Sequence, residues 1–215
     1  MGKKLIYFVR HGESELNAKG IRQGSEGKLT EKGRNQALQT AKKFPKEKGK
    51  PQIIISSPYE RTRETTDIIA KELNMKNIEY SDLLMERKNP SEIIGKWKED
   101  LQVKLIVDQI DKSFHDDNLR YSDEENFTDL KNRTKKLLTF IKSRKEKRMI
   151  MVTHAIFLKM IVSYILKGEE LTSYEYNKLS FFNDINNAGI TIIQYIPHWF
   201  KKEEWKLLVW NDEIL

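Results

Sequence analysis

The chain has no cysteine among its 215 residues, which excludes disulfides, thiolate nucleophiles and cysteine-based zinc sites. That usage suits a reducing compartment, and a cytoplasmic location is expected. Long hydrophobic runs are also missing. Stretches such as Ile53-Ile54-Ile55 and Ile161-Val162 fall far short of the roughly 20 apolar residues that cross a bilayer, so no membrane partner is expected. The N-terminal apolar run is followed at once by Arg10 and Glu13, with no small-residue cleavage pattern, and reads as a buried strand rather than a signal peptide. Ile6 stands where a myristoylation signal carries Ser or Thr.

Acidic residues are in the minority. Lys and Arg number 39 against 32 Asp and Glu, a net charge of +7. The lysines are spread along the whole chain (Lys42, Lys43, Lys46, then Lys142, Lys145, then Lys201, Lys202), and no stacking-aromatic pattern of an RNA-binding sheet accompanies them. A lysine-rich solvated surface around an anion pocket is therefore preferred over nucleic acid as the partner.

What is present is a rhythm of apolar runs and amphipathic stretches. Strands are expected at Leu5–Val9, Ile53–Ile55, Ile78–Tyr80, Met149–Val152, Gly189–Ile196 and Trp205–Trp210. Helices are expected at Thr30–Phe44, Pro58–Leu73, Thr128–Ile141 and Ala155–Leu166, the last ended by Lys167-Gly168. This alternation predicts an α/β fold: three layers, doubly wound, with a mostly parallel sheet and helices on both faces. Residues 87–127 break the rhythm with Pro90, a helical stretch Glu92–Ile110 and the acidic Asp123-Glu124-Glu125. They are expected to form a helical cap insertion within a single domain, 1–215.

The chemistry-bearing residues follow the strands. Arg10-His11-Gly12-Glu13-Ser14 follows the first, Ser56-Ser57-Pro58-Tyr59-Glu60-Arg61 the second, and Thr153-His154-Ala155 the Met149–Val152 strand. Ligands of open α/β sheets bind outside the carboxyl ends of strands, so two arginines and two histidines are expected at one edge. Converging guanidiniums suit a dianionic phosphate, and following helix N-termini add backbone donors. Imidazole can attack phosphorus if its other nitrogen donates to a carbonyl, while an Asp or Glu can protonate the leaving oxygen and then activate water.

These residues carry a resemblance. Arg10-His11-Gly12-Glu13-Ser14-x-x-Asn17, Leu29-Thr30-Glu31-x-Gly33-x-x-Gln36-Ala37, Ser56-Ser57-Pro58-x-x-Arg61-x-x-Glu64-Thr65, Leu83-Leu84-Met85-Glu86, Val152-Thr153-His154-Ala155 and Asn187-Ala188-Gly189 resemble, in order, the motifs of the histidine phosphatase superfamily, also called phosphoglycerate-mutase-like. The resemblance implies a phosphatase of phosphate monoesters that uses neither metal nor cofactor. It implies His11 as the phosphorylated nucleophile, Glu86 as the proton donor, and Arg10, Arg61 and His154 around the phosphoryl group. Asn17 and Gln23 would line the phosphate or ester side, with Ser14 and Ala155 as further substrate- or phosphate-binding positions. Ser14 keeps the hydroxyl of the Thr common there, and Ala155 replaces a common Gly with another small residue.

Glu13 and Asp82 are weaker candidates for the acid. The segment after Glu86-Arg87 lacks the mutases' aromatic-glycine pair, and the insertion lacks their paired arginines. Both departures favour a phosphatase acting on a small phosphorylated substrate or phosphopeptide. Phosphoglycerate mutase and a non-catalytic phosphate- or nucleic-acid-binding module remain the alternatives, and a homodimer is left open. His115 beside Asp116 and Asp117, and His198, read as surface residues. The trio of His115, Asp116 and Asp117 lacks helical metal-ligand spacing, so no metal is expected. Trp199, Phe200, Trp205 and Trp210 read as closing the core or a dimer edge.

Overall fold

The computed structural model describes residues 2–45, 47, 49–113, 119–182, 184–198, 200–201 and 203–212. In chain order the elements are β1 (Lys4–Arg10), α1 (Glu15–Ala18), α2 (Glu31–Lys43), β2 (Ile53–Ser56), α3 (Glu60–Glu72), β3 (Ile78–Tyr80), α4 (Leu101–Ser113), α5 (Phe127–Ser143), β4 (Arg148–Thr153), α6 (Ala155–Lys167), α7 (Ser173–Phe182), β5 (Ile190–Ile196) and β6 (Glu204–Asp212). They build one six-stranded sheet in the order β3-β2-β4-β1-β5-β6. The first four strands in that order are parallel to one another, β5 runs antiparallel to β1, and β6 runs antiparallel to β5. The expected three-layer, mostly parallel α/β architecture is what forms.

The central strands are apolar on both faces because each face is covered. Side chains alternate across a strand, so Ile6 and Phe8 of β1, Ile53 and Ile55 of β2 and Met149 and Met151 of β4 enter one core. That core also holds Leu130, Leu137 and Ile141 of α5 and Phe157, Leu158 and Ile161 of α6. The intervening residues, Tyr7, Val9, Ile54, Ile150 and Val152, face a second core with Ala41 and Ile69 of α2 and α3.

Helix boundaries follow local chemistry. Thr30 caps α2 by accepting from Gly33 N–H at 2.9 Å, and Asn126 and Asp129 form a capping box at α5. Gly168, at φ +67°, ends α6.

Three expectations need correction. The cap helix does not start at Glu92. Residues 91–93 form one 3₁₀ turn, Gly95 adopts φ +80°, and α4 begins only at Leu101, where Asp100 Oδ1 accepts from Gln102 N–H at 2.8 Å. Phe127 opens α5 and is buried in the main core, so it is not part of the insertion. Helix α7 had no counterpart in the sequence reading. Among the aromatics, Trp205 and Trp210 pack against the core, whereas Phe200 is fully exposed. His115, Asp116, Asp117 and Trp199 lie outside the described residues. No helix among the described residues is long and apolar enough to cross a membrane.

Candidate active site

Parallel pairing of β1 with β4, and of β4 with β2, puts three strand ends side by side. The residues just beyond them are His11, His154 and Ser57. His11 N–H donates to Thr153 O at 3.0 Å, and its carbonyl accepts from Asn187 Nδ2 at 3.1 Å. The turn that follows needs glycine. A Cβ on Gly12 would sit 2.3 Å from Gly33 O, and one on Gly33 would sit 2.0 Å from Glu13 O. The start of α2 therefore lies against the His11 loop backbone to backbone. Gly12 N–H donates to Thr65 Oγ1 at 3.1 Å, and that hydroxyl donates to Arg61 O at 2.7 Å, tying the loop to α3.

The ring geometry fixes both tautomers. His11 Nδ1 donates to Gly12 O at 2.7 Å, leaving Nε2 with a lone pair. Arg61 Nε donates to that Nε2 at 3.3 Å, while Arg61 Nη2 lies 3.2 Å from His154 Nδ1. Guanidinium can only donate, so His154 Nδ1 accepts and its Nε2–H donates to Ser57 Oγ at 2.9 Å. The two imidazole centroids are 5.1 Å apart. Tyr59 stands over this cluster, 5.1 Å from the His154 ring and 5.0 Å from the Arg61 guanidinium. Arg61 Nη1 donates to Gly24 O at 2.9 Å, which binds the 20s loop to the site.

Electrostatics follow from this packing. Burial holds both imidazoles well below the ordinary histidine range, with the Arg61 and Arg10 charges adding to it for His11 and those of Arg61, His11 and Arg10 for His154. Burial likewise brings Arg61 down to about 10, opposed by the charge of Glu86. Arg10 is lowered by burial and supported by Glu86 and Asp184. Its Nη1 donates to Ile185 O, while its buried Nε has no partner among the described residues. A buried guanidinium with an open donor is a site waiting for an anion.

Glu86 crosses to the N-terminus of α6. Its carboxylate accepts from Phe157 N–H at 2.9 Å, Ile156 N–H at 3.2 Å and Arg87 N–H at 2.9 Å. The segment is held from α5 by Arg133, whose Nη1 donates to Met85 O at 2.7 Å. Arg133 Nη2 pairs with Glu125 at 2.7 Å, and its guanidinium lies 3.8 Å over the Phe157 ring. Thr153 Oγ1 adds a bond to Leu84 O at 2.8 Å.

Ser14 Oγ lies 2.7 Å from Gln23 Oε1 and 3.0 Å from Asn17 Oδ1. One hydroxyl proton serves one acceptor, so the other amide turns its NH₂ to Ser14. Gln23 lines a cavity of about 170 Å³ with Gly24, Tyr59, Glu86 and Arg87. Asn17 sits one bond behind, at Ser14. Ala155 opens α6 with its methyl against the core.

The other acid candidates are placed elsewhere. Glu13 is taken up by Thr30 Oγ1 at 2.9 Å and by Lys32 at 3.0 Å, and Asp82 is an exposed residue of the 3₁₀ turn after β3. His198 faces Glu204 at 3.7 Å on a peripheral loop. Among the described residues no group of three His, Asp or Glu side chains is arranged to hold a metal. Sequence reasoning missed Ser57 and Tyr59, which stand inside a motif already singled out, and Arg133, which carries no local signal.

A profile of the histidine phosphatase superfamily (branch 1) matches residues 6–213. The chain belongs to this superfamily. Among curated superfamily relatives, the probable phosphoglycerate mutase GpmB of Shigella dysenteriae is 32% identical over 176 residues, covering 75% of this chain and 74% of that protein. Two solved structures share the fold. Mycobacterial glucosyl-3-phosphoglycerate phosphatase with VO3 superposes with TM-score 0.74 at 20% identity, covering 98% of this chain and all of that one. A mutant phosphoserine phosphatase from Entamoeba histolytica with phosphoserine gives 0.72 at 24% identity, covering 98% and 97%. Membership supports an enzyme that acts on phosphate esters.

Proposed function

We propose that the chain is a metal-independent phosphatase that hydrolyses small phosphate monoesters through a phosphohistidine at His11, with Glu86 as general acid and then general base. The observation that carries this reading is the state of His11. Nδ1 is committed to Gly12 O, so Nε2 keeps its lone pair at the point where Arg61 and His154 converge.

In the first step His11 Nε2 attacks phosphorus in line with the leaving oxygen. The P–O bond breaks, an N–P bond forms, and Glu86 gives the leaving alkoxide its proton. Charge on the equatorial oxygens is met by Arg10, Arg61 and His154, whose donors would exchange their present partners for phosphoryl oxygens. The incoming dianion beside His154 favours imidazolium, which then donates from Nδ1. In the second step Glu86 takes a proton from water, the water oxygen attacks phosphorus, and the N–P bond breaks to release inorganic phosphate. Asn17, Gln23 and Ser14 border the leaving-group side, and Ala155 leaves room at the start of α6. A chain without cysteine suits work in the cytoplasm.

The test is p-nitrophenyl phosphate turnover in EDTA, with loss in His11→Ala expected. Full activity in that variant, or none in the wild type, would overturn the reading. Phosphoglycerate mutase is the second reading, favoured by the name of the 32% identical relative and by the Glu86-Arg87 pair. Interconversion of the two phosphoglycerates faster than their hydrolysis would establish it instead.

A further inference from the structure

Resting on that phosphatase reading, we propose that Asn211 of β6 is a positioning residue for Arg10. Its side-chain amide clamps residues 184–186, so that the Ile185 carbonyl fixes one end of the Arg10 guanidinium and leaves Nε free for a phosphoryl oxygen.

Asn211 sits in a β-bulge. Ile190 pairs with Asp212 and Ile192 with Val209, so Thr191 alone faces both Trp210 and Asn211. Asn211 takes φ +49°, the left-handed region that asparagine tolerates better than most residues. Its N–H donates to Thr191 Oγ1 at 3.2 Å. Bulges re-aim side chains, and this one lays the Asn211 amide on the loop that precedes β5. Nδ2 donates to Asp184 O at 3.2 Å, and Oδ1 accepts from Asn186 N–H at 2.8 Å. The fit leaves no slack, because a Cβ on Gly189 would lie 2.3 Å from that Oδ1.

The two bonds bracket Ile185. Asn186 N–H and Ile185 C=O belong to one planar peptide unit and point in opposite directions. Holding the N–H therefore aims the carbonyl, and that carbonyl accepts from Arg10 Nη1. The bond to Asp184 O also fixes the chain at the residue whose charge supports the Arg10 cation. Beyond the clamp the loop returns to the nucleophile. Asn187 Nδ2 reaches His11 O at 3.1 Å, and Ala188 N–H is shared between Arg10 O at 3.1 Å and His11 O at 3.2 Å. Ala188 holds φ +60°, a conformation that an alanine keeps only under restraint from its surroundings. Arg61 has its own supports in the two imidazoles and Gly24 O. Arg10 relies on this loop. A guanidinium already held at one end meets the anion with its remaining donors in place, which is preorganisation.

The experiment is a double-mutant cycle of Asn211→Gly with Arg10→Met, read as kcat/KM for p-nitrophenyl phosphate. Glycine adopts a positive φ freely, so the first substitution removes the amide and spares the bulge. Alone it should lower kcat/KM about tenfold, a part of the roughly 10²–10³ that one whole donor carries. In the Arg10→Met background it should change kcat/KM by less than about twofold, because the residue it acts through is gone. A merely structural residue would cost the same in both backgrounds, and that result, or no loss in either, would overturn the proposal. Asn211→Asp tolerates the same φ and keeps the acceptor for Asn186 N–H but loses the donor to Asp184 O. It supplies a second cycle should the glycine variant fail to fold, and its loss should likewise vanish without Arg10. Absence of turnover in the wild type would instead remove the phosphatase reading. The same cycle would then be read as calorimetric affinity for inorganic phosphate, where an equal loss with and without Arg10, or none, overturns the clamp.

Discussion

Arg61 Nε lies 3.3 Å from Nε2 of His11 and donates to the nitrogen that the proposed mechanism uses to attack phosphorus. The contact keeps the nucleophile unprotonated, because a proton on Nε2 would face a guanidinium at close range in a buried site. The acid limb of kcat/KM for p-nitrophenyl phosphate should therefore fall below the ordinary histidine value of about 6.5. Arg61→Gln should move that limb to higher pH and lower kcat by roughly 10²–10³, by analogy with losing one oxyanion donor. A limb that stays in place would show that Arg61 does not set the state of His11.

The same two imidazoles make stability depend on pH. Both are depressed in the folded protein, so below about 6.5 the unfolded chain binds more protons than the folded one. Their contribution is fully present above that value and is lost as pH falls toward their folded values. Thermal midpoints should decline through this window, and the decline should be smaller in His154→Gln, which removes one of the two groups. An unchanged pH slope in that variant would contradict the linkage.

Arg133 holds the backbone carbonyls of Met85 and Glu86. If its role is to position the acid, Arg133→Met should slow alkyl phosphates, whose poor leaving groups need a proton, far more than p-nitrophenyl phosphate, which needs none. Glu86→Gln should show the same split, on the order of 10²–10⁴ for alkyl esters. A uniform loss across leaving groups in Arg133→Met would mark a purely structural residue.

Gly12 and Gly33 meet where α2 is laid against the nucleophile loop. Gly12→Ala drives a methyl into a backbone carbonyl that cannot retreat without moving the helix. A cost of roughly 1–3 kcal/mol is expected, seen as a fall of several degrees in Tm. A variant as stable as the parent would mean the helix end is free to shift.

Much of this was legible in the sequence for a physical reason. The central strands are buried on both faces, so β1, β2 and β4 appear as unbroken apolar runs, each ending on its chemistry-bearing residues. The site residues His11, Arg61 and His154 meet because those strands are parallel neighbours. Helix α7 left no such trace, since Ser173–Phe182 mixes polar and apolar residues without a stripe. The cap helix is shorter than its apolar pattern suggests, because Gly95 takes a positive φ and Asp100 accepts from the first turn that begins at Leu101. Arg133 lies among the polar positions of an otherwise ordinary amphipathic helix, and only the fold of the 83–86 segment against α5 and α6 gives it a task.

The most direct test of the account is rapid-quench trapping with a ³²P-labelled phosphate monoester in EDTA. The wild-type chain should yield an acid-labile, base-stable phosphoprotein that forms and decays at rates matching turnover, and His11→Asn should yield none. Turnover without any labelled protein, or label that persists in His11→Asn, would contradict a phosphohistidine at His11.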